Sequence, residues 1–510
     1  MQDEYIYEMN TPVYQYNASA VEQRLVKTLK KRRREATVAD LVAETGLPSF
    51  QVEEQLKRIV NDYQGHLKVT ESGEILYHFP DGMRNQVRGA IPKARRVLKK
   101  VASVAGRILK TAFKVWTMVM LVGYFVVFVL LIVLAVVASM AAQAKGGGNG
   151  GGGRGRMGGF GSFYLTTRLM QMSMYLWLYS GGRPDRRGNK PKERPLHQSV
   201  FAFIFGDGDP AGEWDERERR AFIAYLRASK GVSTVEDLMQ LTGRSYNDSQ
   251  RLLNRLSLEF DGEPDVTDEG TLMYRFDQVL RSSDRLDQPP SRGTEFHREL
   301  KPLIPFNTNK PGLNRWIGFF NGFNLLFGTY FTAFALAFPA ISEEGIGAFF
   351  ILVASLFAQI TTNPVGVVFW VMGVIPLVFS GFFFLIPAVR RARERRANRE
   401  RARENVRKRV INAVLAHPGE VDPEMIQISG TPGVSAEEAR SLLHEIVREY
   451  AAERGADVEE KRPASGANPA AYVYRFGDVE REQQDISTVR ARRNVADHDI
   501  GDVVFDSGSD

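Results

Sequence analysis

"VADLVAETGLPSFQVEEQLKRIVNDYQGHLKVTESGEILYHF", residues 38–79, contains the local signals that predict a small α+β domain. Its first part predicts a short helix that stops at Gly46, since glycine commonly closes helices. Residues 49–63 predict a second helix, because their apolar residues recur at helical spacing. Residues 67–79 alternate around Ser72-Gly73, which predicts a β-hairpin. With the helical stretch VEQRLVKTLKKR before it, the order is helix, helix, helix, hairpin, as in a winged-helix domain.

The same pattern returns later in the chain. Residues 235–276 align with 38–79 without a gap and are identical at thirteen of 42 positions. Residues 443–450, LHEIVREY, repeat the apolar stripe of LKRIVNDY at 56–63. The last strands end alike, as YHF, YRF and YRF. The sequence therefore predicts an internal repeat of three small α+β winged-helix-like domains, at 18–81, 201–282 and 404–480.

These domains are predicted to bind proteins rather than DNA. A DNA-reading third helix carries Arg and Lys to the phosphates. Here the third helices mix acidic and basic residues, as in EEARSLLHEIVRE at 437–449. A basic cluster does occur at Lys27–Arg34, so nucleic acid stays a possible partner.

Long uncharged runs predict an α-helical membrane protein. Residues 115–144 form one such run, long enough for a transmembrane helix of about 20 residues. Residues 316–389 hold further runs and predict a membrane region of two or three helices, with Asn363-Pro364 as a break.

The remaining stretches predict linkers and surface segments. They are an N-terminal extension (1–17), a basic amphipathic helix (82–114), a Gly-rich linker (145–161), an apolar interfacial or re-entrant segment (162–182), a basic linker (183–200), a second linker (283–315), an Arg-rich helix (390–409) and a disordered tail (481–510).

Two clusters of basic residues flank the apolar runs. We expect them to contact anionic lipid headgroups, because clustered Lys and Arg beside a membrane helix are attracted to such a surface. Alternatively, the second cluster is a solvated helix in which arginines pair with Glu400 and Glu404. The residues are Lys93, Arg95, Arg96, Lys99, Lys100, Arg107, Lys110, Arg390, Arg391, Arg393, Arg395, Arg396, Arg399 and Arg403.

Polar residues inside the apolar runs are few. Asn321, Asn324 and Gln359 are predicted to hold helices together or to line a path, and packing is the simpler interpretation. Outside them, Asp207 and Asp209 of FGDGDP have the spacing that opens a calcium loop, but the rest of that loop is missing. They predict a tight turn with an aspartate as helix N-cap.

The chain has no cysteine, so thiolate chemistry and cysteine-ligated metals are excluded for it alone. Its seven histidines are scattered and form no metal-binding pair. We therefore expect no catalytic residues, no metal and no cofactor.

Residues 199–210 (SVFAFIFGDGDP), 72–80 (SGEILYHFP), 269–276 (EGTLMYRF) and 373–391 (GVIPLVFSGFFFLIPAVRR) resemble a family of poorly characterised integral membrane proteins of cyanobacteria and plastids. The resemblance covers roughly residues 20–480, and the chain departs from it in the apolar stretch 346–362. Some plant members are labelled iron–sulfur cluster biosynthesis proteins, a label that a chain without cysteine ligands does not support. The resemblance implies the architecture and leaves the activity open.

The function expected from the sequence is a non-enzymatic membrane scaffold that presents winged-helix-like domains to protein partners. A transporter or lipid-handling protein and a membrane-tethered nucleic-acid-binding regulator are the alternatives. The expected location is a bacterial inner membrane or a thylakoid-type membrane. Basic residues flank the apolar segments densely, which predicts that all three domains lie on the cytoplasmic side.

Overall fold

The computed structural model describes residues 16–32, 35–79, 90–145, 194–283, 295–340, 346–461 and 471–508. The apolar segment 162–182 lies outside these residues, and so does the Gly-rich linker except for Lys145. Most of the N-terminal extension and most of the first basic linker also lie outside them. The described chain is mostly helical with small antiparallel sheets. The helices are α1 (Ala18–Arg32), α2 (Val38–Thr45), α3 (Ser49–Tyr63), α4 (Ala90–Lys145), α5 (Leu196–Phe205), α6 (Trp214–Ala228), α7 (Val235–Thr242), α8 (Tyr246–Glu259), α9 (Pro311–Ala337), α10 (Gly347–Phe357), α11 (Pro364–Val367), α12 (Ile375–Ala416), α13 (Ala436–Glu453) and α14 (Gly477–Arg492). The strands are β1 (His66–Thr70), β2 (Ile75–His78), β3 (Val232–Ser233), β4 (Glu263–Val266), β5 (Leu272–Arg275), β6 (Asp457–Lys461), β7 (Ala471–Arg475) and β8 (Val503–Asp506).

The chain divides into two compact units. Unit 1 comprises Met1–Pro92, Pro210–Leu303 and Ala397–Asp510, and unit 2 comprises Lys93–Asp209 and Ile304–Arg396. Unit 1 contains three helix–hairpin segments, which we call the first (16–79), second (210–283) and third (397–476) segments.

The first and second segments share their local structure. Their second helices begin at a capping box, in which Thr37 pairs with Asp40 and Thr234 with Asp237. Both helices end at a glycine in the left-handed region, Gly46 at φ 69° and the matching Gly243 at φ 77°. A left-handed residue satisfies the last free carbonyls of a helix and favours glycine, which explains this stop.

The three aromatic endings have the same role in each segment. Tyr77, Tyr274 and Tyr474 are buried on the last strand, and each pairs with a short extended stretch that follows the first helix. The hairpins beside them are antiparallel. The tyrosine of each ending therefore lies in the hydrophobic core that the helices form, as the alternation in the sequence predicts.

One hydrophobic cluster runs through all three segments of unit 1. It contains fully buried residues from each, among them Leu25, Phe222 and Val410. The segments thus share a core, and each contributes its apolar helix faces to it.

Several predicted boundaries need correction. Helix α5 belongs to unit 2, and the second segment starts with α6 rather than at residue 201, because Gly206 and Gly208 turn the chain between them. The linker predicted to reach residue 315 ends earlier, at Pro311, where α9 begins. The third segment begins inside α12, which contains the Arg-rich stretch.

Two described helices in the chain are long and apolar enough to cross a membrane, namely Ile108–Ala141 within α4 and Pro364–Ala416. The apolar part of the second ends at Val389. Helix α9 spans about 40 Å at 1.5 Å per residue, but it carries three asparagines and four glycines. Helix α10, with 11 residues, spans only about 16 Å, which is too short for a crossing of about 30 Å.

The disordered tail was a wrong prediction for residues 481–508. Helix α14 continues to Arg492, and β8 forms the third strand of a sheet with the order β2-β1-β8. Ile486 is buried against Val232 and Met273 of the second segment. The polar composition of residues 481–508 did not predict this folded structure. These residues are held by ion pairs and backbone hydrogen bonds as well as by apolar burial.

Candidate functional site

The third segment lacks the second helix that the other two segments have. Residues 417–435, HPGEVDPEMIQISGTPGVS, contain three prolines and three glycines, which cannot sustain a helix. Only a 3₁₀ turn forms, at Pro423–Met425, and the chain then runs irregularly to α13.

A cavity of about 390 Å³ lies between this irregular stretch and the N-terminal half of α13. Its floor is apolar, with Ala439 and Leu443 of α13 almost fully buried. A volume of this size is within the range of small-ligand and side-chain pockets. The cavity is lined by Pro423, Glu424, Ile426, Gln427, Ile428, Ser429, Gly430, Thr431, Val434, Ser435, Ala436, Ala439, Arg440, Leu443 and His444.

The irregular stretch that forms one wall of the cavity is anchored by side-chain hydrogen bonds to its backbone oxygens. Arg409 donates hydrogen bonds to the backbone oxygens of Ser429 (2.9 Å) and Gln427 (3.3 Å). Thr431 Oγ1 donates to the Ile428 oxygen at 2.7 Å. Burial lowers the pKa of the Arg409 guanidinium. These bonds satisfy carbonyl groups that no helix uses, and the cavity is therefore preformed.

The rim of the cavity is polar. His444 Nε2 lies 3.2 Å from Glu424 Oε1, and Arg440 is exposed beside them. Met425 does not line the cavity but lies next in the chain to Glu424 and Ile426, which do, and 79 % of its surface is exposed. A buried apolar floor with a polar rim is the usual anatomy of a protein-binding site.

Arg403, which was predicted to meet lipid, pairs with two glutamates of α13. Its guanidinium lies 2.8 Å from Glu445 and 3.0 Å from Glu449 of α13, and Arg407 lies 3.1 Å from the same Glu449. Burial raises the pKa of Glu449, but the two arginines outweigh it and lower that pKa. Arg403 therefore joins α12 to α13 within the third segment.

Arg390 is likewise an internal residue. Its guanidinium donates to the backbone oxygens of Phe306 (2.8 Å), Phe203 (3.2 Å) and Ile204 (3.3 Å), and it pairs with Glu394. The side chain is only 15 % exposed, and it lies over the Phe306 ring. Its partners are backbone groups far away in the chain, which a sequence pattern cannot reveal.

The other predicted basic residues are placed differently. Arg391, Arg393, Arg395, Arg396 and Arg399 of α12 are exposed, and so is Lys110 of α4. The side chains of Lys93, Arg95, Arg96, Lys99, Lys100 and Arg107 lie outside the described part of the structure.

Two of the three asparagines of α9, Asn321 and Asn324, are fully buried and hold helices together. Asn321 donates to the Ser380 oxygen at 3.1 Å, and Asn324 donates to the Leu121 oxygen at 2.8 Å. Gln359 is exposed in the turn after α10 and is not brought near them. The structure thus joins two of the three predicted polar residues, in helix packing.

The FGDGDP turn is tied to another loop of unit 2. Asp207 accepts hydrogen bonds from the Thr308 backbone (2.7 Å), the Thr308 hydroxyl (2.8 Å) and Arg194. Burial raises the pKa of Asp207, but these hydrogen bonds lower it overall. Neither Asp207 nor Asp209 caps a helix, because the N-cap of α6 is Glu213, so that part of the prediction was wrong. No group of three or more acidic or histidine residues within the described ranges could hold a metal.

The chain is similar to the uncharacterized chloroplastic protein At5g03900 of Arabidopsis thaliana, with 23 % identity over 385 residues. The match covers 72 % of this chain and 68 % of the plant protein. No protein-family model and no solved structure matches the chain. The similarity agrees with the resemblance to plastid proteins and says nothing of an iron–sulfur role.

Proposed function

We propose that the chain is an integral membrane adaptor without enzymatic activity, and that its third segment binds a protein partner. One observation carries the proposal: a preformed cavity of about 390 Å³ lies between α13 and the irregular stretch that takes the place, in chain order, of the second helix of the other two segments. The occupant we propose is a short amphipathic helix of the partner.

The interpretation as repeated winged-helix domains rests on detailed correspondence. Gly65 and Gly262 occupy matching positions, and a Cβ on either would lie 2.5 Å or 2.4 Å from the ring of Phe79 or Phe276. Each of the three segments also has the short extended stretch against its last strand that a winged helix has. Chance similarity would not reproduce a close packing of this kind.

The chemistry of the occupant follows from the helices that fill the equivalent position. Helices α2 and α7 are each eight residues long, and most of the residues that they bury are apolar, beside Asp40, Thr45, Glu236 and Thr242. A partner helix of two turns would bring a similar face to Ala439 and Leu443, and its polar face would meet the rim. The apolar residues that α2 and α7 bury are Ala39, Leu41, Val42, Val235, Leu238, Met239 and Leu241.

Membrane anchoring is supported by unit 2. Gly328 of α9 lies so close to the backbone of Leu377 that a Cβ would be 2.8 Å from its nitrogen, and Gly373 packs equally closely on Thr332. Small residues at helix crossings are typical of membrane helices. We propose that α9 and residues 364–389 cross the membrane as a pair, which returns the chain to the same, cytoplasmic side. The chloroplastic relative agrees with a thylakoid-type membrane, with a bacterial inner membrane as the alternative.

Five exposed arginines of α12 support contact with anionic lipid. Each basic residue near such a surface contributes about 1 kcal/mol. A peptide of residues 390–409 should bind anionic vesicles at low salt, release as salt rises, and ignore neutral vesicles. Equal binding to both kinds would refute this part of the proposal. The arginines are Arg391, Arg393, Arg395, Arg396 and Arg399.

A photo-crosslinker at position 425 tests the adaptor function in native membranes. We expect a defined protein to be crosslinked there, and the crosslink to be lost when Ala436→Trp fills the cavity. Leu258→Trp, at a residue 66 % exposed on α8, is the matched control and should leave the crosslink intact. A crosslink that survives Ala436→Trp, or none at all, would contradict the proposal.

Two other functions remain distinguishable from this one. Buried Asn321 and Asn324 would favour transport if replacing them abolished flux of an ion or lipid while the crosslink stayed. A nucleic-acid regulator would be retained on nucleic acid in a salt-sensitive way. The exposed face of α3 instead mixes Glu53, Glu54, Lys57 and Arg58, which does not favour phosphate binding.

A further inference from the structure

The outer edge of β1 is covered by the chain's own C-terminus. Strand β8 pairs antiparallel with β1, with Lys68 opposite Asp506 and Val69 opposite Phe505. Beyond the strand, Ser507 N donates to the Leu67 oxygen at 3.0 Å, and Leu67 N donates to Ser507 Oγ at 2.9 Å. The edge thus accepts an extended peptide, and β8 shows the kind of peptide it accepts.

This strand is attached mainly by its backbone. Val503, Val504 and Phe505 are 43 %, 63 % and 59 % exposed, so they bury little apolar surface. The register also shifts between Val69 and Thr70, which interrupts the ladder. At about 25 cal/mol per Å² of apolar surface removed from water, half-exposed side chains contribute only part of their full burial energy. Of residues 477–508, β8 is therefore the part that separates most easily.

The edge of β1 differs from the corresponding edges of the other hairpins. Strand β4 carries Pro264 between two acidic residues, and β6 reads DVEEK. Proline and charges on an edge strand prevent further strands from pairing. Strand β1, HLKVT, has neither proline nor acidic residue, and Lys68 Nζ lies 3.4 Å from Asp506 Oδ2. The sequence protects two edges and leaves the third suited to a strand.

We propose that the β1 edge is a docking site for an extended segment of a partner protein, and that β8 is an internal ligand that the partner displaces. The partner segment would carry two apolar residues, an aromatic residue, an acidic residue that pairs with Lys68, and a hydroxyl residue that meets Leu67. This edge is separate from the cavity of the third segment, and neither proposal depends on the other.

Displacement requires only residues 499–508 to leave. Upstream, Arg490 pairs with Asp237 at 2.5 Å and Lys230 donates to the Arg493 oxygen at 2.8 Å, so α14 stays attached. Gly501 lies in the stretch between α14 and β8. Its φ is 71°, and a Cβ there would lie 2.9 Å from the Glu71 Cβ. Gly501→Val should therefore dislodge β8 in a chain of full length, without a change in β1.

A labelled peptide of residues 499–508 tests the proposal by fluorescence anisotropy on the full chain in detergent. We expect the peptide to bind about 10-fold more tightly to a chain truncated after His498, or to Gly501→Val, than to the intact chain. In the intact chain β8 occupies the edge, so the peptide binds only the fraction of molecules in which β8 has detached, and its apparent affinity is lower by that fraction. Lys68→Glu in the truncated chain should weaken binding, and a peptide with Asp506→Lys should restore it.

Three results would overturn the proposal. They are equal affinity of the intact chain, the truncated chain and Gly501→Val; no binding to either uncovered chain; and an intact chain that is a dimer and becomes a monomer on truncation. The last result would mean that β8 is exchanged between two copies rather than displaced by a different protein.

Discussion

Lys408 is a buried lysine whose charge should make unit 1 sensitive to alkaline pH. The residue is 2 % exposed, and its ammonium donates to the backbone oxygens of Phe296 (2.7 Å) and Glu299 (2.9 Å). It also lies 4.5 Å from the Phe296 ring centre. Burial lowers its pKa from 10.5 to about 8, although Glu218, Glu299 and Glu404 raise it and Arg217 lowers it further.

The sign of the effect follows from where the proton is bound. Between pH 8 and 10.5 the unfolded chain keeps a proton on this lysine that the folded chain has lost, so the free energy of unfolding increases with pH. At about 1.4 kcal/mol per pH unit, the increase from pH 8 to 9.5 is about 2 kcal/mol. Below pH 8 the lysine is charged in both states and the full cost of burying it remains.

Lys408→Met should remove this increase while keeping the length of the side chain. We expect the unfolding free energies of wild type and variant to differ in pH dependence by about 2 kcal/mol between pH 8 and 9.5. The measurement is urea unfolding of the full chain in detergent, followed by the fluorescence of Trp214 in a background in which the other four tryptophans are replaced by phenylalanine. The Trp214 ring centre is 5.9 Å from the Lys408 nitrogen. Lys57→Met, at an exposed position, should behave as wild type. Parallel pH profiles for wild type and Lys408→Met would refute the reasoning.

Gly65→Ala should destabilise the first segment by about 1–3 kcal/mol in urea unfolding, because the new Cβ would overlap the Phe79 ring. The control is Gly477→Ala, whose Cβ would meet nothing within 4 Å and should leave the stability unchanged. Equal effects of the two substitutions would contradict this prediction. Glu269→Cys, in the exposed turn of the second hairpin, should resist an impermeant thiol reagent in intact cells and react after permeabilisation, and labelling in intact cells would place the second segment outside. Asn324→Leu should weaken helix packing by about 1–2 kcal/mol in detergent unfolding and leave flux unchanged, since its amide bonds only the Leu121 backbone.

The parts of the fold that could be predicted depend on local rules. Gly46 and Gly243 stop helices because the left-handed region suits glycine, and Leu56, Ile59 and their equivalents face a core because of helical spacing. The apolar run 115–144 forms part of one long helix as expected. Each of these features is decided within a few residues, so a single sequence is enough to find it.

The parts that could not be predicted depend on distant partners. Arg390 has the same local surroundings as Arg391, yet only Arg390 finds three backbone oxygens from other parts of unit 2. The candidate cavity had a signal, the prolines and glycines of 417–435, but the repeat pattern favoured a helix there.

The interleaving of the two units has a consequence for biosynthesis. Unit 1 needs residues from the beginning, the middle and the end of the chain, and β8 near the end pairs with β1 near the beginning. A ribosome releases Val503 only after every apolar helix of unit 2 has been made. The first segment must therefore wait, with its β1 edge open, until β8 has been made and through any insertion of unit 2 into a bilayer. Chaperones would have their longest access to the nascent chain at that edge, and a stalled ribosome would leave it exposed.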